Sequence, residues 1–257
     1  MVKEMKMNTK EEKTMIEVLP KDCIANILSH TTPIDSCRLS LISKDFCSAS
    51  KSDIVWNKFL PSDLVSIISD SQPASSLFDT SLSKKSLYLT LSDHPIIIDS
   101  GKKSFQLEKH SGKKVYMLSA RDLSIAWGDT PDQCDWMILP KSRFQEVARL
   151  RCVWWFEIHG AIKTCVLSAN SQYAAFLVFK MKNAFHFDGF PVEEPNEAFQ
   201  GLEHPKLRSD GFLEIEMGEF FNSGLKDKVV HMDVLEIKGG RVNGAFILEG
   251  IEIRPKN

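Results

Sequence analysis

Residues 19–35 read LPKDCIANILSHTTPID. After Leu19-Pro20, the residues Ile24, Ile27 and Leu28 recur at i, i+3 and i+4, the spacing that lines one apolar stripe along a helix. Thr32-Pro33-Ile34-Asp35 then starts a second helix. Thr32 is placed to cap it, Pro33 takes the first helical position, where a missing N–H costs nothing, and Asp35 falls at N3. The spacing predicts that this second helix carries Cys37, Leu41 and Ile42 inward until about Ser48. Ser52-Asp53 caps a third helix with Val55, Trp56, Phe59 and Leu60 on one side, and Pro61 ends it. Three helices this short cannot cover their apolar stripes among themselves. The uncovered surface must dock either on the rest of the chain or on another protein.

The composition shifts on both sides of this block. Residues 1–16 are charged and Met-rich, have no apolar run of signal-peptide or membrane length, and read as a disordered leader. Residues 62–84 are rich in Ser and Asp, with Pro73 in the middle, and read as a linker with some freedom. Beyond them the hydrophobic period changes from 3.6 to 2. Runs at 86–91, 95–99, 104–108, 115–120, 153–158, 174–181, 212–217, 229–237 and 242–253 predict strands, and Gly239-Gly240 supplies the positive φ angles of a tight hairpin. The expected fold is α+β and multidomain: a small three-helix module at 17–61, then an all-β antiparallel sandwich of jelly-roll type at 85–257.

The whole chain of 257 residues is 43% hydrophobic and 26% charged with a net charge of −2, a balance that argues against a general nucleic-acid or membrane-surface binder. Cys23, Cys37, Cys47, Cys134, Cys152 and Cys165 form no C-x-x-C pair, and no N-x-S/T sequon occurs, so a reducing location in cytoplasm and/or nucleus is expected.

Signs of catalysis are absent from the sequence. No histidine stands at i, i+4 beside an acid or within ligand spacing of a cysteine, so no metal is expected, and no motif implies a cofactor. The stretch at 100–104, SGKKS, is similar to the end of a phosphate loop. Ile96 stands where the first Gly belongs, however, and strands should follow, so it reads as a lysine-bearing turn. No G-x-S-x-G elbow is present, and the acid pairs Glu193-Glu194 and Glu214/Glu216 read as solvated faces. No catalytic residue is assigned.

Aromatic residues are the better lead. Residues 124–136, SIAWGDTPDQCDW, place Trp127 and Trp136 on either side of a Gly-Asp-Thr-Pro turn, and Trp154-Trp155 follow within a strand, where adjacent side chains point to opposite faces. Flat indole faces with polar neighbours such as Asp129 suit a sugar ring. The same indoles also suit a core, and this stretch leaves both readings open.

Residues 17–61, with their Leu-Pro, Thr-x-Pro-x-Asp, Ile-Ser-Lys-x-Phe and Ser-Asp-x-Val-Trp elements, resemble an F-box of the plant type. From about residue 84 onward, KKSLYLTL, IDSGKKSF, SGKKVYMLSARDLSIAWGDTP, RSDGFLEIEMGEFF and EGIEIRP resemble the phloem-lectin, or Nictaba-like, domain. The chain is thus similar to plant F-box proteins of the phloem protein two-like family.

The resemblance implies a non-catalytic substrate-recognition subunit of a Skp-cullin-F-box ubiquitin ligase. Leu19, Pro20, Ile24, Ile27, Leu28, Pro33, Leu41, Ile42 and Trp56 would supply or support the surface for the Skp-type adaptor and cullin core. The second domain would capture a protein target, glycosylated or otherwise recognised, with Trp127, Asp129 and Trp136 at a carbohydrate site for N-acetylglucosamine-containing glycans. The alternative is a nucleocytoplasmic lectin acting in stress or defence. The sequence departs from the family pattern at Gln133 and Cys134, where Tyr-Trp is usual, and at Gln106 and Phe212, where tryptophan is common, so indole stacking surface is reduced.

Overall fold

The computed structural model describes residues 19–69, 71, 82–151, 155–182, 205–236 and 245–256. The leader at 1–16, residues 70 and 72–81 of the predicted linker, Glu193-Glu194, Trp154 and the Gly239-Gly240 hairpin lie outside the described residues.

Four helices begin the fold: α1 (Lys21–Ser29), α2 (Pro33–Leu39), α3 (Lys44–Ala49) and α4 (Asp53–Phe59). Their starts follow the predicted chemistry. Thr32 Oγ1 accepts from the Asp35 N–H at 3.2 Å, Ser43 Oγ from the Phe46 N–H at 3.3 Å, and Ser52 Oγ from the Ile54 N–H at 3.4 Å. The expected second helix is two. Ser40 Oγ donates to the Cys37 carbonyl, the chain turns, and Ser43 caps a new helix. Leu41 and Ile42 therefore sit on a turn between helices and face solvent, with Cys37 also exposed, instead of pointing inward.

The chain between the two halves also differs from expectation. Within 62–84, α5 (Leu64–Ser69) buries Leu64 and Ile68. Residues 86–91, expected as a strand, belong to α6 (Lys84–Asp93). The LYLTL run satisfies either period, and tertiary packing decides. Ser83 caps the helix, Tyr88 and Leu91 fall on one face and are fully buried, and the Tyr88 hydroxyl donates to the carbonyls of Glu108 and Lys109 at 3.1 Å.

Twelve strands follow among the described residues: β1 (Ile96–Ile98), β2 (Lys103–Leu107), β3 (Lys114–Ser119), β4 (Ser124–Ile125), β5 (Cys134–Met137), β6 (Val147–Leu150), β7 (Phe156–Lys163), β8 (Ser171–Lys182), β9 (Lys206–Leu207), β10 (Leu213–Asn222), β11 (Val229–Glu236) and β12 (Ala245–Pro255). All pairings are antiparallel. The larger sheet runs β1-β2-β3-β12-β8-β10-β9, with β6 also paired to β12 and β5 to β6. The smaller runs β11-β7-β4. Strand β12 is the organiser: Phe246–Leu248 pair with β6 and Gly250–Ile253 with β3, while its other edge pairs with β8. The sheets approach closely where β7 has Gly160. A Cβ there would lie 2.8 Å from Leu123 Cδ2 and 3.1 Å from Ile251 Cδ1, so a larger residue would push these side-chain ends aside.

The helices share one continuous core with these sheets. Ile24, Leu28, Val55 and Trp56 are fully buried in the same cluster as Tyr88, Leu118 and Ile251. The Trp56 ring meets Tyr88 at 5.1 Å and Phe59 at 5.6 Å, and its Nε1–H donates to the Ser50 carbonyl at 2.7 Å. Lys114 of β3 reaches Asp63 at 2.7 Å, and the Lys84 N–H donates to Asp53 at 3.1 Å. The described stretch 63–69 is thus packed against the fold, where composition suggested a free linker.

The opposite face of the larger sheet carries an ionic layer over a small apolar cluster of Met117, Phe144, Val178 and Phe212. Buried Glu252 accepts from Arg143 at 3.0 Å, Arg208 at 3.2 Å and Arg254 at 2.8 Å; Glu214 bonds Arg208 and Arg254. Glu214 is therefore structural and not part of a solvated face. Burial alone would raise the Glu252 pKa, but the charges of Arg143 and Arg208 outweigh it and lower it to about 2.

Leu28→Ala is expected to cost about 2–5 kcal/mol, read as a lower Tm of one calorimetric transition that includes both halves, because they share a core. Glu252→Gln leaves three arginines around a neutral group and should cost about 3–5 kcal/mol near pH 7. With its pKa depressed, Glu252 adds stability that is complete above 4.5 and lost as pH falls through about 2. Denaturation series across that window should show a shallower acid loss in Glu252→Gln.

Candidate functional site

Two surfaces collect the residues singled out in the sequence. The first is helical. Of the nine residues assigned to it, Ile24, Leu28, Pro33 and Trp56 are interior. Leu19, Pro20, Ile27, Leu41 and Ile42 are exposed, Leu41 at 85% and Ile42 at 65%, and Ile54 of α4 joins them. The division is a consequence of amphipathicity: α1 turns Ile24 and Leu28 toward α3 and α4 and leaves Ile27 outside. Gly112, in the turn between β2 and β3, supports the buried half with φ +72°; a Cβ there would meet the Phe59 carbonyl oxygen at 3.2 Å and Pro33 Cγ at 3.5 Å.

The second surface is the loop after β4. Gly128 N–H donates to the Ile125 carbonyl and Thr130 N–H to the Trp127 carbonyl, both at 2.9 Å, closing a turn that holds Trp127 at φ +72°. A tryptophan adopts that backbone only when its surroundings impose it. Here the indole N–H donates to the Trp155 carbonyl at 3.2 Å and the two rings meet at 4.5 Å. Trp127 is therefore a half-buried loop anchor, and Asp129 beside it is exposed. Trp136, on β5, is also half-buried, and the Arg121 guanidinium lies 3.5 Å from its ring centre while bonding Glu146. Each indole of the segment packs on the core with one side and reaches the surface with another.

Cys134 borders this loop through its N–H, which donates to the Thr130 carbonyl at 2.8 Å, but its side chain, like Gln106 and Phe212, offers no platform there. Cys134 is 3% exposed within the core, and burial followed by the Asp135 charge raises its pKa. Gln106 donates from Nε2 to the Ser92 carbonyl at 2.7 Å, tying β2 to α6. Phe212 is fully buried, with Lys180 Nζ 4.0 Å from its ring centre. The departures from the family pattern at these three positions fall on packing sites in three separate places.

Sequence reading missed a polar row beside the indole pair. On β7, Glu157 and His159 share a face, and His159 Nδ1 lies 2.7 Å from Asp233 of β11 and Nε2 3.1 Å from Glu157. Trp155 Nε1–H points to Glu157 at 3.4 Å. Hydrogen bonds to Asp233 and then Glu157 raise the His159 pKa from 6.5. The signal available was Glu-x-His within a strand, where i and i+2 share a face. These groups offer carboxylate acceptors next to an aromatic ledge, an arrangement suited to hydroxyl-rich ligands. Nothing in the row activates a nucleophile.

Comparison with known proteins bears on both surfaces. Residues 16–58 match the F-box domain and residues 113–255 match phloem protein 2. The chain is 42% identical to the Arabidopsis thaliana F-box protein PP2-B10, covering 97% of both chains. It is also 42% identical to the putative F-box protein PP2-B12 of the same plant, covering 93% of this chain and 97% of that one. Among solved structures, the CBM22-1 xylan-binding domain of Paenibacillus barcinonensis overlaps 53% of this chain and 87% of its own at 10% identity, with a TM-score of 0.23.

Cys134→Trp should not build a platform. The indole would enter a filled core, costing about 1–3 kcal/mol in chemical denaturation without any gain in affinity for chitin oligomers. The His159 imidazole should titrate above 6.5 in NMR, and Asp233→Asn should bring it down, because the largest cause of the shift is removed.

Proposed function

The chain belongs to the phloem protein 2 family of F-box proteins, and from that premise we propose that it is the substrate-recognition subunit of a Skp-cullin-F-box ubiquitin ligase in cytoplasm and/or nucleus. The observation that carries the reading is the set of large apolar side chains, Leu41, Ile42, Ile27 and Ile54, held out in solvent on a helical part whose Ile24, Leu28, Val55 and Trp56 are in the core. Exposed leucines and isoleucines on an otherwise well-packed module are what a partner surface needs. A Skp-type adaptor covers them in this reading, with Leu19 and Pro20 at the rim and Ile24, Leu28, Pro33 and Trp56 as the support beneath.

The β domain presents the target. The loop with Trp127, Asp129 and Trp136, extended by Trp155 and Glu157, would hold a glycan or a polar peptide of the protein to be ubiquitinated. Catalysis comes from the ligase partners, and this chain contributes proximity by holding target and adaptor together. The seam around Trp56, Tyr88 and the Lys114–Asp63 pair supports that role, since it sets the direction of the loop relative to the adaptor surface. A second reading, a lectin acting without the ligase, is favoured by the half-exposed indoles alone.

Replacing Leu41 and Ile42 together by Asp should lower adaptor capture by at least about tenfold, with an unchanged thermal transition because neither residue is in the core. Undiminished capture would overturn the ligase reading. A glycan array with that same variant separates the two: retained sugar binding with lost adaptor capture assigns the loop to glycans. An array silent for the wild type as well leaves a protein-recognition subunit.

A further inference from the structure

Where the helical part joins the β domain, four stretches of chain surround an open cleft of about 470 Å³. They are the end of α1 with the residues after it (29–31), the end of α4 with the chain leading to α5 (58–63), the β2–β3 turn with the start of β3 (111–114), and the turn before β8 (167–169). That volume is ordinary for a small-molecule site. None of the residues placed at the adaptor surface or in the indole loop lines it.

Charge is unevenly distributed around this cleft. Lys58, Lys113 and Lys114 stand against a single carboxylate, Asp63. The tetrapeptide Ser-Gly-Lys-Lys at 100–103 is repeated at 111–114, and the second copy supplies two of the three lysines. Gly112 lets that turn approach the Phe59 backbone, which sets its lysines against the end of α4, where Lys58 lies. Lys58 and Lys113 have no ion-pair partner among the described residues. Like charges gathered this way repel one another, and an anion between them relieves the repulsion.

Lys114 is the informative member. Its side chain is only 10% exposed, and its ammonium has one partner among the described residues, Asp63 at 2.7 Å, whose own side chain is 45% exposed. An ammonium carries three N–H donors, so two are left without a described protein acceptor. Enclosing a charge is costly unless it is paired and hydrogen-bonded. The Ser168 hydroxyl, which accepts from the Lys114 backbone N–H at 3.0 Å, still has its own hydrogen to donate, and Ser62 adds a second hydroxyl. Phe59, Leu60 and Leu167 form an apolar wall beside these donors.

We propose that the cleft binds a small phosphorylated molecule. Its phosphate contacts Lys58, Lys113 and Lys114 with help from the Ser62 and Ser168 hydroxyls, and its organic body lies along Phe59, Leu60 and Leu167. A phosphate monoester brings about −1.5 to −2 charges at pH 7 and three acceptor oxygens, which matches an excess of ammonium groups better than a single carboxylate does. A metal cation would meet three like charges, and a neutral sugar would leave them unbalanced. Because the lining comes from both halves of the fold, an occupied cleft also ties α1 and α4 to the β domain, and ligand should raise the stability of the whole chain. The proposal does not depend on adaptor or glycan binding.

Calorimetric titration of the full chain tests it, with AMP and inorganic pyrophosphate as probes and adenosine as the uncharged control. AMP and pyrophosphate should each saturate one site, raise Tm and bind more weakly as salt is added. Adenosine should bind far more weakly than AMP. Lys58→Ala with Lys113→Ala should weaken both anions at least about tenfold while the Tm without ligand stays near that of the wild type, because neither lysine is paired. Lys44→Ala with Lys51→Ala removes as much charge from exposed positions outside the cleft and should leave binding intact. Should the first double variant fail to fold, Lys58→Gln reads the same contact. Neither anion binding at millimolar concentration overturns the proposal. So does adenosine binding as tightly as AMP, or a folded Lys58/Lys113 variant that binds as tightly as the wild type.

Discussion

The structure depends on the contact between Trp56 and Tyr88. Helices α1–α4 are too short to bury their apolar stripes in one another, and α6 offers the face they lack. Trp56 packs on Tyr88, the tyrosine hydroxyl reaches the β2–β3 turn, and Gly112 in that turn lets the backbone approach Phe59 and Pro33. Each of these residues has its role only because the others are in place. The helical part is thus not a module on a tether but the first layer of a continuous core, and its remaining apolar residues are free to serve as a surface because the core is already complete.

A second constraint acts from the other side of the larger sheet. Strand β12 pairs on both edges, and its Glu252 is buried beneath Arg254 of the same strand and two arginines, Arg143 and Arg208, from distant segments. Burying one carboxylate is costly, and paying that cost with Arg143 and Arg208 ties together parts of the chain far apart in sequence. The indole loop is held differently, by a tryptophan in a left-handed backbone conformation and a ring-on-ring contact with Trp155. It combines a fixed backbone with half-open indole faces, which is what a recognition loop on a rigid scaffold requires.

Much of this was legible in the residues. The caps at Thr32 and Ser52 and the proline at 33 announce helix starts through local hydrogen bonding alone, and the period of two from Lys103 onward follows from one-sided burial of strands. The resemblance at 17–61 and beyond 84 was readable for the same reason: its motifs are short and local. The run at 86–91 fits a strand by alternation and a helix by spacing, and only the socket for Tyr88 chose the helix. Leu41 and Ile42 look like core residues in a helical pattern, and the break at Ser40–Ser43 turned them outward. Cys134 and Phe212 look like lost stacking positions and are packing residues, because which face of a strand is covered depends on what lies across from it.

By itself, then, the sequence determined the elements whose cause is local: capped helix starts, apolar stripes, alternating strands, and a turn that carries an indole. Tertiary structure alone decided the seam between the halves, the arginine layer over Glu252 and the Glu157–His159–Asp233 row. Those features join residues tens to more than a hundred positions apart, and a linear pattern holds no record of which distant side chain will satisfy a buried charge or fill a given hollow.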